Sequence, residues 1–418
     1  MIMKKLIILF LMIQLFVCPM SEVFADDEIE EVEKQEAQKQ VVETVAEAVD
    51  VPKQDARVGL IYDRKTKEVL YEKNGYKKVP MASTTKIMTA TVVLENCDVT
   101  QTVEIEAKAA GTGGSRLGLK KGDKITVLHL LYGLLLRSGN DAAVALAIHT
   151  AGSVEEFAKL MNAKAQELGL QNTHFVTPHG LDATEHYTTA FELAKMADYA
   201  MQNESFKKIV GTKTVGIIIN GQEKMLNNTN ELLGYLDGVT GIKTGFTNGA
   251  GRCLVTCCNR NGQEIITVVL GADTKKIRTT DSVKLIEYAY QTYTYQEVKG
   301  YIQEEFAKWK QINQQRIFIS KGEAEHPALL LAEIQKEYTC VKKQQTDEIS
   351  VQISNITQME APVMAGQKIG VLQVLKNGEI WMTLDITSQN EVQKKDMWDY
   401  WQEFLSKFQH FNEVYENI

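Results

Sequence analysis

The sequence predicts an α+β fold: an antiparallel sheet flanked by helices, with a helical subdomain, followed by a small C-terminal β-rich domain. Three observations carry this. Strand-like runs stand at both ends of residues 53–296, while helical patterns fill the middle, so distant strands must close one sheet with helices packed on it. From about residue 298 the texture changes to short apolar runs separated by turns, as at 348–353, 368–375 and 380–386. Finally, 418 residues with 44% apolar and 24% charged side chains suffice for two or three domains with real cores.

Taken from the start, residues 1–25 read as a secretory signal. Lys4 and Lys5 precede an apolar run over 6–17, and Val23-Phe24-Ala25 ends on a small residue. The run is short for a bilayer span, and Phe16 and Val17 are too bulky for a lipoprotein signal at Cys18. Residues 26–52 form an acidic tether, with ten acidic against two basic side chains over 26–50 and neither Gly nor Pro. That segment accounts for most of the net charge of −8. The remainder is nearly neutral and has no basic footprint for nucleic acid.

Two apolar runs, 56–62 and 69–73, joined by the polar 63–68, read as a hairpin. Strands return at 216–219, 241–244, 253–258 and 265–270, and a helix over 280–293 closes the unit. Residues 297–393 form the β-rich domain and 394–418 an amphipathic helix. Cys97, Cys253, Cys257, Cys258 and Cys340 remain beyond the signal, with no Cys-x-x-Cys pair and no histidine cluster. They read as buried free thiols, and neither a metal nor an organic cofactor is expected.

Three elements of the first domain carry chemistry. Ser83-Thr-Thr-Lys86 begins a helix whose Ile87, Thr91 and Leu94 form an apolar stripe. The i, i+3 spacing places both side chains on one face. A serine hydroxyl needs a neighbour to take its proton, and a lysine can do so only if burial and a second cation lower its free pKa of about 10.4. Alone, such a pair is usually a helix cap beside a solvated lysine. Ser138-Gly-Asn140 occupies a tight break between two buried helices, 127–136 and 142–148. By itself it reads as a capping turn, although the Asn140 amide could also grip a peptide group from both ends. Gly241-Ile-Lys243-Thr244-Gly245-Phe246 reads as a strand punctuated by glycines, which suits the close approach of another backbone. Otherwise it is an edge strand with a surface lysine.

In this order the three elements match the Ser-x-x-Lys, Ser-x-Asn and Lys-Thr-Gly set of penicillin-binding proteins and class A β-lactamases. Around them stand His179-Gly-Leu-Asp182, His186-Tyr-Thr-Thr-Ala190, Asn228-Thr-Asn230, Gly271-Ala and Arg278, and in the tail 361–370. With these the chain closely resembles the low-molecular-mass penicillin-binding proteins that act as D-alanyl-D-alanine carboxypeptidases, over about residues 52–295. The resemblance implies a β-lactamase/transpeptidase-like fold and removal of the terminal D-alanine from peptidoglycan stem pentapeptides, with β-lactams as inhibitors. It implies Ser83 as nucleophile, Lys86 as general base, and Ser138 and Asn140 as relay and substrate amide binder. Lys243, Thr244, Gly245, Phe246 and Arg278 line the substrate side. The same resemblance implies that the backbone N–H groups of Ser83 and Phe246 form the oxyanion hole and that Arg278 meets the terminal carboxylate. Glu192 stands where the family often has aspartate, with no catalytic consequence. His179 and His186 read as loop-structuring residues.

Two rivals are weaker. A class A β-lactamase uses a glutamate with an asparagine four residues on, but Glu167 is followed at that spacing by Gln171. A penicillin sensor carries a transmembrane segment, and no long apolar run follows residue 25. At the C-terminus, Met397, Trp398, Trp401, Phe404, Leu405, Phe408 and Phe411 recur at helical spacing. This is an aromatic face suited to a membrane surface, although 394–418 hold three lysines and five acidic groups, so anionic lipid gives no help. The alternative is a helix packed on the β domain or a partner.

Overall fold

The computed structural model describes residues 51–344 and 348–415; the signal and nearly all of the tether assigned above lie outside them. β1 (Val58–Asp63) and β2 (Val69–Lys73) form the expected hairpin. They join β7 (Val239–Thr247), β8 (Gly251–Arg260) and β9 (Gln263–Ala272) in a five-stranded antiparallel sheet ordered β2-β1-β9-β8-β7. The first and last strands of the domain meet at the sheet's middle, with Val58 opposite Leu270 and Ile61 opposite Thr267. Along β9 every residue except Glu264 is buried, so helices cover both faces and apolar side chains run without the alternation of a half-exposed strand.

Between β2 and β7 lies the helical subdomain: α1 (Lys86–Asn96), α2 (Val127–Leu136), α3 (Asn140–Ala151), α4 (Val154–Glu167), α5 (Ala190–Ala200) and α6 (Glu204–Val210). Two small hairpins join it: β3 (Thr102–Glu104) with β4 (Lys124–Thr126), and β5 (Thr214–Ile219) with β6 (Gln222–Asn227). The single apolar stripe expected of α1 understates its place, because Lys86 through Val93 are all buried. Its threonines make this possible: Thr91 Oγ1 donates to the Ile87 carbonyl at 2.9 Å and Thr89 Oγ1 to the Pro178 carbonyl at 2.6 Å. Each hydroxyl is thus satisfied inside the core.

Helix α7 (Lys275–Thr292) lies against β8 and β9. It begins five residues before the expected 280, because Thr274 caps it by accepting from the Ile277 N–H at 3.1 Å. Arg278, which lies before the helix expected at 280, is therefore in its first turn and buried. The C-terminal region also departs from the expectation. It opens with a strand, β10 (Tyr293–Glu297), and a 15-residue helix, α8 (Lys299–Asn313), that no turn-rich β reading anticipated. Ile302 and Phe306 of α8 pack on the core of the β domain. There follow β11 (Phe318–Ser320), β12 (Leu329–Leu331), β13 (Tyr338–Lys342), β14 (Ile349–Asn355), β15 (Gln358–Glu360), β16 (Lys368–Lys376) and β17 (Glu379–Ser388). Four of them form the sheet β12-β17-β16-β14.

A polar joint binds this region to the first hairpin. β10 pairs with β13. Glu68, in the β1–β2 turn, accepts from Thr339 Oγ1 at 2.7 Å, Trp381 Nε1 at 3.0 Å and Lys376 Nζ at 3.2 Å. Asp63 accepts from the Tyr295 hydroxyl at 2.9 Å, and Lys65 Nζ sits 3.2 Å from the centre of the Tyr338 ring. The chain ends in α9 (Met397–Tyr415).

Candidate active site

Ser83 occupies a 3-10 turn, Ala82–Thr85, immediately before α1 rather than the first turn of the α-helix itself. Lys86 follows as the first residue of α1, fully buried. Its Nζ reaches Ser83 Oγ at 2.8 Å, Asn140 Oδ1 at 2.7 Å and the His179 carbonyl at 2.9 Å. Burial first, and the Lys243 charge second, hold this amine well below the usual lysine range. Asn140 opens α3, two residues sooner than the sequence suggested, and its Nδ2 donates to the Gly113 carbonyl at 2.8 Å. One amide thus ties the lysine to the loop on the far side of the site.

That loop is anchored by a residue sequence reasoning missed. The fully buried Asp141 accepts from the Leu117, Gly118 and Leu119 N–H groups at 2.8, 2.7 and 3.0 Å. Its only signal was an acid directly after Asn140. Ser138 is buried in the α2–α3 break with φ 59°. The structure does not bring its hydroxyl into hydrogen bonding with Lys86; none of the hydrogen bonds found among the described residues uses it.

The segment 177–182 closes over the serine turn. A Cβ on Gly180, whose φ is 84°, would lie 1.9 Å from the Ala82 carbonyl oxygen, so only glycine fits. His186 Nδ1 accepts from the Val176 N–H at 3.0 Å, which leaves Nε2 to carry the proton toward Thr85 Oγ1 at 2.8 Å. Burial drives both His186 and His179 down to about 4, so both are neutral loop-structuring groups at neutral pH, in line with their sequence reading. Asp182 accepts from Thr247 Oγ1 at 2.6 Å and from the Gly249 N–H at 3.0 Å, which fastens this segment to the end of β7.

Strand β7 runs along the other wall. A Cβ on Gly245 would stand 3.1 Å from the Ser83 nitrogen, so the strand backbone passes directly against the serine turn. Lys243 is buried, not on the surface, and its Nζ donates to the Thr244 carbonyl at 2.9 Å. Burial, then the Arg278 charge, lowers it to about 7. Thr244 Oγ1 shares a 2.8 Å hydrogen bond with Thr229 Oγ1. Phe246 is half exposed beside the Arg252 guanidinium, 3.8 Å from its ring centre. Arg278 lies close enough to Lys243 to affect its charge. It is paired with Glu231 Oε2 at 3.0 Å, a partner that sequence reasoning missed although Asn228-Thr-Asn230 stood next to it.

Among the described residues, no group of three or more His, Cys, Asp or Glu is placed to hold a metal ion. Cys253, Cys257, Cys258 and Cys340 are buried free thiols, and burial pushes Cys253 and Cys258 up to about 11.

A buried lysine against a serine at a helix start, facing a Lys-Thr-Gly strand, is the arrangement of a serine acyl-transfer enzyme. The family model described as D-alanyl-D-alanine carboxypeptidase matches residues 45–274, more than half of the chain. The chain belongs to this family. Residues 320–394 match the C-terminal domain of penicillin-binding protein 5. The protein is similar to the D-alanyl-D-alanine carboxypeptidase DacF of Bacillus subtilis, 35% identical over 347 residues that cover 81% of this chain and 86% of that one. It is 36% identical to a Streptomyces D-alanyl-D-alanine carboxypeptidase over 59% of this chain and 91% of the relative. Its fold matches penicillin binding protein 5 from Haemophilus influenzae with a TM-score of 0.67 at 26% identity, covering 83% of this chain and all of that one. It is a serine-type peptidase, and the low-molecular-mass penicillin-binding resemblance holds in both its fold and its family.

Proposed function

We propose that this D-alanyl-D-alanine carboxypeptidase removes the terminal D-alanine from peptidoglycan stem pentapeptides through an ester on Ser83. The observation that carries the reading is the fully buried Lys86 amine, 2.8 Å from Ser83 Oγ and shifted toward neutrality. A neutral amine donates two hydrogens, to Asn140 Oδ1 and the His179 carbonyl, and its remaining lone pair faces the serine hydroxyl. Ser83 Oγ attacks the carbonyl carbon of the penultimate D-alanine, and its proton passes to Lys86 Nζ. The oxyanion develops beside the N–H groups of Ser83 and Phe246, at the start of α1. When the C–N bond breaks, the leaving amine takes the proton and D-alanine departs. Water then cleaves the ester by the same route. Ser138, which the geometry leaves without a bond to Lys86, is assigned to proton transfer once substrate is bound. Lys243, Thr244 and Arg278 receive the substrate carboxylate. β-Lactams acylate the same serine.

Two features support placement at the outer face of the cell membrane. The signal-like first 25 residues imply export. Met397, Trp398, Trp401, Phe404, Leu405 and Phe408 are all exposed on α9, with Trp401, Phe404 and Phe408 stacked at 5.8 and 6.2 Å. No helix among the described residues is long and apolar enough to cross a membrane, so the proposed contact is interfacial. Deleting residues 394–418 should release the protein from the membrane fraction, and unchanged fractionation would mean α9 serves another partner.

The catalytic assignment is tested with a fluorescent penicillin and with diacyl-L-lysyl-D-alanyl-D-alanine. Wild type should be labelled covalently and should release D-alanine. Ser83→Ala should do neither while keeping its circular dichroism. Labelling of the variant at the wild-type rate would remove Ser83 from the role.

A further inference from the structure

The two residues on either side of Asn230 hold two of the groups to which the proposed function assigns the substrate carboxylate. Thr229 Oγ1 bonds Thr244 Oγ1 at 2.8 Å on β7, and Glu231 Oε2 pairs with Arg278 at 3.0 Å on α7. The pair is asymmetric. The Arg278 side chain is 5% exposed and that of Glu231 is 28% exposed, so the arginine is fixed while the glutamate can turn toward water. Among the described residues only one guanidinium nitrogen is used: the Arg278 nitrogen that meets Glu231 also reaches Thr279 Oγ1 at 3.3 Å, and Arg278 Nε is buried with no partner. An arginine fork has room for a bidentate carboxylate, and here a single oxygen of one side chain occupies it.

A buried guanidinium cannot stay without a counter-charge. The neighbours named here give it little help: Arg252 lies close enough to oppose it, and Lys243 is a second buried cation. Glu231 is its only salt-bridge partner among the described residues.

We propose that Glu231 is a resident place-holder anion, a carboxylate that neutralises Arg278 in the free enzyme and is displaced, toward solvent, by the terminal carboxylate of the substrate. Glu231 then sets selectivity for the charged chain end. Binding a carboxylate-terminated peptide exchanges one anion for another on Arg278, whereas a neutral chain end leaves Glu231 in place. The exchange keeps the arginine charge-balanced in both states, and it makes the enzyme bind its substrate less tightly than an unoccupied arginine would. This rests on Arg278 being the receiver of the substrate carboxylate.

The test compares kcat/KM for diacyl-L-lysyl-D-alanyl-D-alanine with that for the same peptide ending in a carboxamide, read as release of D-alanine and of D-alaninamide. In Glu231→Gln, which keeps the shape and removes the charge, the ratio should rise about two- to fivefold, the scale of a partly exposed ion pair. The gain should appear in KM and should shrink as salt is raised. Glu231→Ser, with a different shape and no charge, should give the same sign, and Glu231→Asp should stay near wild type. A fall in the ratio in both neutral variants would mean that Glu231 orients Arg278 and does not compete with substrate. Equal changes on both peptides would mean a structural role. Either result overturns the proposal. The underlying reading fails separately: if Arg278→Gln leaves the carboxylate-to-carboxamide ratio unchanged, Arg278 is not the receiver, whatever Glu231 does.

Discussion

The proposed acylating end of the site and the proposed carboxylate-binding end solve the same problem, a buried cation, in opposite ways. Lys86 is enclosed by three oxygens, and burial beside Lys243 pushes it toward the neutral form it needs to accept a proton. Arg278 is equally buried but keeps its charge, because a guanidinium cannot be neutralised in this way and a carboxylate stands against it. Lys243 stands between them, poised near 7. In the proposed function one end serves proton transfer and the other charge recognition, and the choice of side chain decides which. A lysine at 278 could lose its proton in that environment, and an arginine at 86 could not accept one.

The sharpest way to break this contrast is to remove the base. Lys86→Ala should slow acylation by peptide and by penicillin alike, by about 10²–10⁴-fold, measured by stopped-flow labelling and by D-alanine release. A loss confined to the peptide would place Lys86 on the recognition side. Arg278→Gln should do the reverse: D-alanine release from the peptide should fall about tenfold to a hundredfold, while penicillin acylation falls much less. Equal losses on both substrates would make the arginine structural.

Titration separates the two ends without mutation. Lys243 is a base whose value is lowered to about 7, so it carries its charge below that pH and loses it above. The preference for a carboxylate over a carboxamide chain end should therefore drop about tenfold between pH 6 and pH 8.5. Acylation common to both peptides depends on a neutral Lys86, whose amine burial holds well below the usual lysine range, and it cancels in this ratio. A ratio flat with pH would mean that Lys243 contributes no charge to recognition. The smallest effect is expected at Thr229. Thr229→Val removes the hydroxyl that Thr244 shares at 2.8 Å and should raise KM for the charged peptide roughly fivefold. No change would leave Thr244 held by its strand alone.

The sequence made the acylating end far more legible than the other. Ser83 and Lys86 lie three residues apart, and Asn140 opens the helix after the break beside them, so local spacing almost states their geometry. Arg278 was harder to place: its helix starts at Lys275 through the Thr274 cap, and a short cap-to-cation spacing resembles an exposed turn. Glu231 was not legible at all, because its partner is 47 residues away and is reached through the fold. The sheet hairpin and the strands around Lys243 were visible as apolar runs between turns. Helix α8 was not, because only Ile302 and Phe306 of its 15 residues are buried, and so thin a stripe inside a β-rich context hardly registers as a helical period.

The joint at Glu68 limits how freely the two folded parts of this chain can be exchanged or cut apart. A Streptomyces relative is spanned over 91% of its length by only 59% of this chain, which invites treating residues up to α7 as a detachable module. Here, however, the tip of the first hairpin has been shaped by its neighbour. Glu68 gives one carboxylate to Thr339, Lys376 and Trp381, and Asp63 holds Tyr295. A fragment ending at Thr292 would expose that tip without the C-terminal partners of Glu68 and Asp63. Recombination between such enzymes should therefore carry residues 63–68 together with the C-terminal region they were matched to, although the two stretches lie at opposite ends of the folded chain.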